Sequence, residues 1–161
     1  MVRQKIQIIS ILALLLVISS CGSTRKIAKD VEGARIDKVI TTARSYLGTP
    51  YRWGGATKAG IDCSGLLYNS FRAAGLDLPR TSQEQGKIGK KINIYEVQPG
   101  DLVFFAANKR GSKVSHVGLV TEIKGRREVM FIHSSSSRGV IENNIFSDYY
   151  HSVFIKARRP F

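Results

Sequence analysis

The residues that could do chemistry begin with one cysteine. Cys63 lies in the run Asp62-Cys63-Ser64-Gly65, directly ahead of an apolar stretch with helical spacing. The free N–H groups and dipole of a helix N-terminus favour negative charge, so we expect a thiol in the first turn to have a lowered pKa and to react as a thiolate. His116 and His133 follow, each where a strand pattern meets a loop. A histidine beside a thiol can act as its base, so these residues predict nucleophilic catalysis.

These residues also allow plainer interpretations. A free cysteine is often a small buried hydrophobe. Cys63, His116 and His133 could instead bind zinc, but structural zinc sites contain close ligand pairs such as two cysteines two residues apart, and none is present here. We therefore predict no metal and no cofactor. The third histidine, His151, has no motif around it and is predicted to be structural or on the surface.

The N-terminus has the pattern of an export signal. Arg3 and Lys5 precede a mostly apolar run, residues 6–18, which is shorter than the roughly 20 residues that span a bilayer. Small residues then lead into Cys21, which resembles the lipobox of bacterial lipoproteins. We predict a signal peptide over residues 1–20 and lipid attachment at Cys21, with an uncleaved anchor as the alternative. Either interpretation holds the domain at a membrane, outside the cytoplasm.

Export also bears on the meaning of charge and cysteine content. The chain carries 25 Lys and Arg against 12 Asp and Glu, a net charge of +13. In the cytosol this excess would suggest nucleic acid, but export removes that partner and no binding motif is present, so we predict none. With Cys21 lipidated, Cys63 has no cysteine left to pair with. A lone thiol in an exported protein is explained by reactivity.

The order of the predicted elements indicates an α+β fold. We predict a lipidated N-terminus and tether over residues 21–34 and a single domain over residues 35–161. A helix is predicted from Ala34 to Gly48, and a second from Asp62 to Ala74 with Asp62 as its N-cap. The predicted strands are Leu102–Phe105, His116–Ile123, Glu128–His133 and Val153–Ile155. Helices followed by strands favour an antiparallel sheet.

Five ordered blocks resemble the NlpC/P60 family of cell-wall peptidases. The blocks are Tyr51-Arg52-Trp53-Gly54-Gly55, Gly60-Ile61-Asp62-Cys63-Ser64-Gly65, Leu78-Pro79-Arg80-Thr81-Ser82, Pro99–Phe105 and His116-Val117-Gly118. They follow the family's order from about residue 36 to the C-terminus. Within the family, the chain is most similar to lipoprotein murein endopeptidases of the Gram-negative envelope. The resemblance implies a papain-like α+β fold, in which helices pack on an antiparallel sheet and the nucleophile begins a helix.

The resemblance also implies roles for single residues. Cys63 is expected to be the nucleophile, His116 the general base, and His133 the group that orients His116. The reaction would proceed through a thioester, as in papain-like enzymes. The residues expected to bind substrate are Tyr51, Asp62 and Ser64.

The implied function is cleavage of amide bonds in peptidoglycan peptides by a cysteine endopeptidase. The bond is either the γ-D-glutamyl-diamino acid bond within a stem or the D,D cross-link between stems. The alternatives are a non-catalytic peptidoglycan-binding lipoprotein and a CHAP-type wall amidase. The expected partners are peptidoglycan peptides and a membrane bound through the lipid, and we expect a monomer. Gly22 after Cys21, rather than Asp, resembles outer-membrane sorting and predicts a protein facing the periplasm.

Overall fold

The computed structural model describes residues 26–161, so the predicted signal peptide and Cys21 lie outside the described residues. The chain divides into two units, Met1–Arg35 and Ile36–Phe161. Residues 26–35 are helical, so the predicted helix start at Ala34 is wrong. Lysine, alanine and glutamate in this segment favour helix, and Gly33 does not interrupt it. A helical residue rises 1.5 Å rather than the 3.3–3.6 Å of extended chain, so residues 26–35 span a shorter distance as a helix than they would as an extended tether.

Two helices of the second unit pack in its core, and one of them begins at Cys63. Helix α1, residues 36–44, buries Val39, Ile40 and Ala43 in the core. Helix α2, Cys63–Ala73, begins where the sequence predicted, and the Asp62 side chain accepts a hydrogen bond from the backbone N–H of Gly65, as an N-cap does. None of the helices within residues 26–161 has the length and apolar character that crossing a membrane requires.

Within residues 26–161, eight strands form two sheets. Strands β1 (Ala56–Thr57) and β2 (Gly60–Ile61) make a small antiparallel hairpin next to α2. The others are β3 (Lys90–Ile92), β4 (Leu102–Phe105), β5 (His116–Gly125), β6 (Glu128–Ser135), β7 (Gly139–Asn144) and β8 (Phe154–Arg159). They form one six-stranded sheet in the order β3-β8-β4-β5-β6-β7, with every neighbouring pair antiparallel. The predicted α+β class with an antiparallel sheet is confirmed.

Three short helices connect these strands. They are α3 (Ser82–Gln85), a 3₁₀ helix (Ile94–Glu96) and α4 (Asp148–Val153). The sequence did not predict them, nor β1, β2, β3 and β7, because each is short and has no clear apolar periodicity. Val153, predicted to open the last strand, instead ends α4.

The six-stranded sheet has an apolar cluster on each face. Successive residues of a strand point to opposite faces, so they contribute alternately to the two clusters. The first cluster packs α1 and α2 on residues such as Val117, Leu119 and Ile132. The second contains Phe105 and Phe131, whose rings lie 5.1 Å apart. His116 pairs with Phe105 across β4 and β5, and the ring of His133 stacks on Phe131 at 4.8 Å. Both histidines therefore belong with the second cluster, at the strand ends next to the start of α2.

Candidate active site

The predicted nucleophile is the first residue of α2 and is almost fully buried. Cys63 is 8% exposed. The backbone N–H groups of Val117 and Ser64 favour its thiolate, but burial has the larger effect and, together with the charge of Asp62, raises the pKa of Cys63 to about 11. The expectation of a lowered pKa is wrong for this structure, because desolvation outweighs the helix N-terminus. Cys63 is therefore a neutral thiol near pH 7.

A carboxylate–guanidinium pair fixes the turn ahead of the nucleophile. Oδ2 of Asp62 accepts from Nη2 of Arg80 at 2.8 Å and from the backbone N–H of Gly54 at 2.9 Å. Oδ1 accepts from Nη1 of Arg80 at 2.9 Å and from Gly65 N–H at 2.6 Å. Burial opposes ionisation of Asp62, but these hydrogen bonds and the charge of Arg80 outweigh it and hold its pKa below the usual value.

The predicted substrate-binding residues Asp62 and Ser64 are both buried and held by Arg80. The Ser64 hydroxyl donates to Oδ1 of Asp62 at 3.2 Å and accepts from Nη1 of Arg80 at 3.0 Å. A Cβ at position 65 would lie 2.5 Å from the carbonyl oxygen of Gly55, so glycine there lets the Gly54–Gly55 loop close on α2. The geometry makes this network a support for Cys63, and the predicted substrate contact of Asp62 and Ser64 stays a prediction.

The two histidines form a hydrogen-bonded chain across β5, β6 and β7. Nε2 of His116 lies 2.8 Å from Nδ1 of His133. Nε2 of His133 lies 3.0 Å from the amide oxygen of Asn143 and 3.0 Å from the hydroxyl of Tyr150. His133 is 1% exposed, and burial lowers its pKa to about 4, with Arg138 acting in the same direction and the hydrogen bond to Asn143 opposing.

This chain selects one tautomer for each ring. The amide oxygen of Asn143 can only accept, so Nε2 of His133 carries the proton and Nδ1 of His133 is an acceptor. Nε2–H of His116 then donates to that Nδ1. Nδ1 of His116 is left with a lone pair, which is the form that a general base needs.

The pair Cys63 and His116 is neutral at rest. Burial, with the neighbouring His133, lowers the pKa of His116 to about 3. The backbone N–H that favours the Cys63 thiolate belongs to Val117, the residue after His116, so β5 brings base and thiol to the same place. Within residues 26–161, no hydrogen bond joins the thiol to the imidazole. Such contacts often tighten only when substrate binds.

Tyr51 connects the thiol to an open cavity. The cavity has a volume of about 610 Å³, and its walls include Tyr51, His116 and His133. Burial and the proximity of Cys63 and Asp62 raise the pKa of Tyr51, so its hydroxyl remains a hydrogen-bond donor at neutral pH. Tyr51 therefore lies near Cys63, and its predicted contact with substrate stays a prediction.

His151 lies apart from these groups. Its exposed ring stacks on Phe146 with centroids 5.7 Å apart. No three His, Cys, Asp or Glu side chains within residues 26–161 are placed to hold a metal ion.

The fold and the site together define an α+β domain with a cysteine at the start of a helix and a histidine pair on the adjoining strands. The NlpC/P60 family model matches residues 48–159. The chain belongs to the NlpC/P60 family. This match favours the NlpC/P60 interpretation over the CHAP type.

Two curated relatives from Escherichia coli strain K12 are similar over most of the chain. One is named probable endopeptidase NlpC, with 40% identity over 72% of this chain and 72% of the relative. The other is named murein DD-endopeptidase MepS/murein LD-carboxypeptidase, with 38% identity over 76% of this chain and 61% of the relative. A crystal structure of an NlpC/P60 family protein from Bacillus cereus superimposes with a TM-score of 0.69 at 32% identity, covering 77% of this chain and 39% of that one.

Sequence reasoning missed four side chains around the site. Arg80 lies in one of the five blocks that resemble the family, but the sequence predicted no role for it. Asn143, Tyr150 and Arg138 lie on β7, on α4 and in the turn before β7, elements that the sequence did not predict. Correct prediction of β7 beside β6 would have indicated Asn143, because Asn143 pairs with Phe131, which lies two residues before His133 on the same face of β6.

Proposed function

We propose that the protein is a cysteine endopeptidase that hydrolyses amide bonds in peptidoglycan peptides through a thioester. The observation that carries this proposal is the hydrogen-bonded chain from Asn143 through His133 to His116, which leaves Nδ1 of His116 unprotonated next to the start of α2. A binding protein has no need of a base prepared in this way. The substrate class follows from the endopeptidases that this chain resembles.

The proposed reaction begins from the neutral pair. Sγ of Cys63 attacks the carbonyl carbon of the scissile amide while Nδ1 of His116 takes up the thiol proton. The pKa of the thiol is high and that of the imidazole is low, so proton transfer accompanies the attack and no stable ion pair precedes it. The backbone N–H of Cys63 and the Tyr51 hydroxyl are the proposed donors to the oxyanion.

Collapse of the intermediate completes acylation. The imidazolium of His116 gives its proton to the leaving amine nitrogen, the C–N bond breaks, and the acyl group remains on Sγ. His116 then takes a proton from water, whose oxygen attacks the thioester carbon. The C–S bond then breaks, and the imidazolium of His116 returns its proton to Sγ, which gives a carboxylic acid and the regenerated thiol.

Mass analysis of muropeptides tests the proposal. The full chain should release two fragments whose summed mass exceeds that of the substrate by one water, whereas Cys63→Ala should release none. His151→Ala is the matched control, since His151 packs on Phe146 away from the site, and it should keep wild-type turnover. Hydrolysis by folded Cys63→Ala would refute the mechanism, and its absence in the wild type would favour a non-catalytic peptidoglycan-binding lipoprotein. The same fragments would distinguish a γ-D-glutamyl bond from a D,D cross-link.

We also propose that residues 1–20 are a signal peptide and that Cys21 carries the lipid that holds residues 35–161 at the outer membrane, facing the periplasm. The support is the short apolar run and the small residues before Cys21. Cys21→Ala should move the protein from the membrane fraction to the soluble periplasmic fraction. Continued embedding of that variant would mean that residues 6–18 form a true anchor.

A further inference from the structure

The cavity beside His116 differs in charge from the rest of the site. Its walls carry hydroxyl groups and a single guanidinium, that of Arg138. None of the described residues that line it is an aspartate or a glutamate. The hydroxyls belong to Tyr51, Ser115, Ser134, Ser135, Ser136, Ser137, Ser147, Tyr149 and Tyr150. The Ser115 and Ser134 hydroxyls donate to backbone carbonyls, but the remaining hydroxyls, the one cation and the lack of a carboxylate in the lining favour an anion.

Arg138 has no acidic partner among the described residues. Its guanidinium lies near the Tyr150 hydroxyl, and its charge acts on His133. None of the ion pairs formed within residues 26–161 involves it, whereas Arg80 and Arg159 are paired with Asp62 and Asp101. The charge of Arg138 is thus available to a ligand.

The turn that carries Arg138 is held by backbone contacts with the segment Gly48-Thr49. Gly139 has a φ of +70°, and a Cβ there would collide with the carbonyl oxygen of Thr49. The next backbone N–H, that of Val140, donates to the same oxygen at 2.9 Å, and Val140 O accepts from Gly48 N–H at 3.0 Å. The guanidinium is therefore presented from an anchored turn.

The chemistry of the proposed reaction indicates which part of the substrate enters this cavity. His116 must protonate the leaving amine, so the residue that carries that amine lies next to its ring. The ring lines the cavity, while Cys63 is not among the lining residues. The acyl side of the substrate stays on Cys63, and the leaving side extends toward Arg138.

We propose that Arg138 and the hydroxyls around it bind a free carboxylate on the leaving diamino acid, so that the enzyme selects a stem peptide with diaminopimelate over one with lysine. The inference rests on the proposed endopeptidase function. A guanidinium and a carboxylate form a charge-assisted hydrogen bond, whereas the ammonium of a lysine side chain would face a like charge. Because Arg138 is exposed, water weakens its interaction with the carboxylate. We therefore expect only about a tenfold preference in kcat/KM for the peptide with diaminopimelate.

Three synthetic stem peptides test this assignment. One contains diaminopimelate with its free side-chain carboxylate, one has that carboxylate amidated, and one has instead the α-carboxylate of glutamate amidated. The wild type should cleave the second about tenfold less well than the first. Arg138→Gln should lower kcat/KM for the first peptide to the level of the second, and should leave the second unchanged. Arg126→Gln, at the exposed turn between β5 and β6, is the matched loss of a surface arginine and should behave as the wild type.

Three outcomes would overturn the assignment: equal wild-type rates for the first two peptides, an equal loss on both in Arg138→Gln, or an Arg138 effect that follows the glutamate carboxylate. Binding of the uncut peptides to Cys63→Ala and to Cys63→Ala/Arg138→Gln provides a second measurement. If the wild type cleaves none of the peptides, the endopeptidase function fails. In that case, the binding measurements still test the carboxylate site. Cys63→Ala should bind the first peptide more tightly than the second, and this preference should be lost in Cys63→Ala/Arg138→Gln.

Discussion

On the Asp62 side of Cys63, the buried polar groups carry full charges; on the His133 side, they are neutral. Asp62 and Arg80 share two hydrogen bonds, at 2.8 and 2.9 Å, and the pair immobilises the turn before α2. His116, His133 and Asn143 are joined by contacts of 2.8 and 3.0 Å, and burial keeps both rings uncharged.

The difference in charge fits what each region is proposed to do: the charged side holds the turn before α2, and the neutral side moves a proton. A charged pair with every lone pair engaged resists change, because removing either partner leaves the other uncompensated. A chain of neutral imidazoles can gain one proton and release it again, which is what the proposed acylation needs. Substitutions on the charged side should therefore change stability first, and substitutions on the neutral side should change turnover first.

The largest expected effect separates the two histidines. His116→Ala should lose all measurable turnover, since the thiol proton then has no acceptor. His133→Gln should keep measurable activity with a loss of up to about 10⁴-fold, because an amide can still accept from His116. The measurement is steady-state hydrolysis of one defined muropeptide by folded variants. An active His116→Ala would remove His116 from the mechanism.

On the charged side, Arg80→Met should destabilise the fold by about 2–3 kcal/mol. It leaves the Asp62 carboxylate buried without its main partner, and the partial exposure of Arg80 keeps the cost below that of a fully buried pair. Urea unfolding measures this change. The control is Arg44→Met, which breaks the more exposed pair with Glu142 at 2.9 Å and should cost less than about 1 kcal/mol. Equal losses in the two variants would contradict the contrast between the regions.

The neutral side should make the fold sensitive to acid. In the unfolded chain a histidine protonates near pH 6.5, whereas His116 and His133 fold with pKa values of about 3 and 4. Below pH 6.5 the unfolded state binds more protons, so stability falls as the pH falls toward those values, by about 1 kcal/mol for each ring between pH 6.5 and 5.5. Urea midpoints across this range test the sign, and His133→Gln should reduce the slope. If His133→Gln does not change the dependence of stability on pH, His133 is not a source of the acid sensitivity.

The smallest expected effect tests the tautomer. Asn143→Leu removes the acceptor at Nε2 of His133 and should lower kcat about tenfold, since a hydrogen bond of this kind is worth about 1–1.5 kcal/mol. Asn143→Asp, which can still accept, should keep most of the turnover and shift the acidic limb of the pH–rate profile upward, because the new charge favours protonated imidazole. Tyr150→Phe should change kcat little while Asn143 remains. A larger loss in Asn143→Asp than in Asn143→Leu would reverse the tautomer assignment.

The sequence predicted those parts of the site that sit in one continuous pattern. Asp62 and the apolar residues after Cys63 identify a capped helix, and His116 opens a strand of ten residues. The sequence did not indicate Asn143, because β7 reads Gly-Val-Ile-Glu-Asn-Asn and depends on pairing with β6 for its form. Nor did it give the protonation state of Cys63: the helix N-terminus is a local feature, whereas the burial that outweighs it comes from Val117 and the core.

The burial of Cys63 also bears on how the thiol would survive in the oxidising compartment to which the proposed export leads. Peroxides, disulfides and alkylating agents react with the thiolate, not with the thiol. With a pKa of about 11 and 8% exposure, only about one molecule in 10⁴ carries the thiolate at pH 7. Iodoacetamide should therefore modify Cys63 more slowly than a free cysteine, so slow alkylation is no sign of a dead site. In the proposed mechanism, the Cys63 thiol would therefore resist oxidants until a substrate binds and His116 takes up its proton.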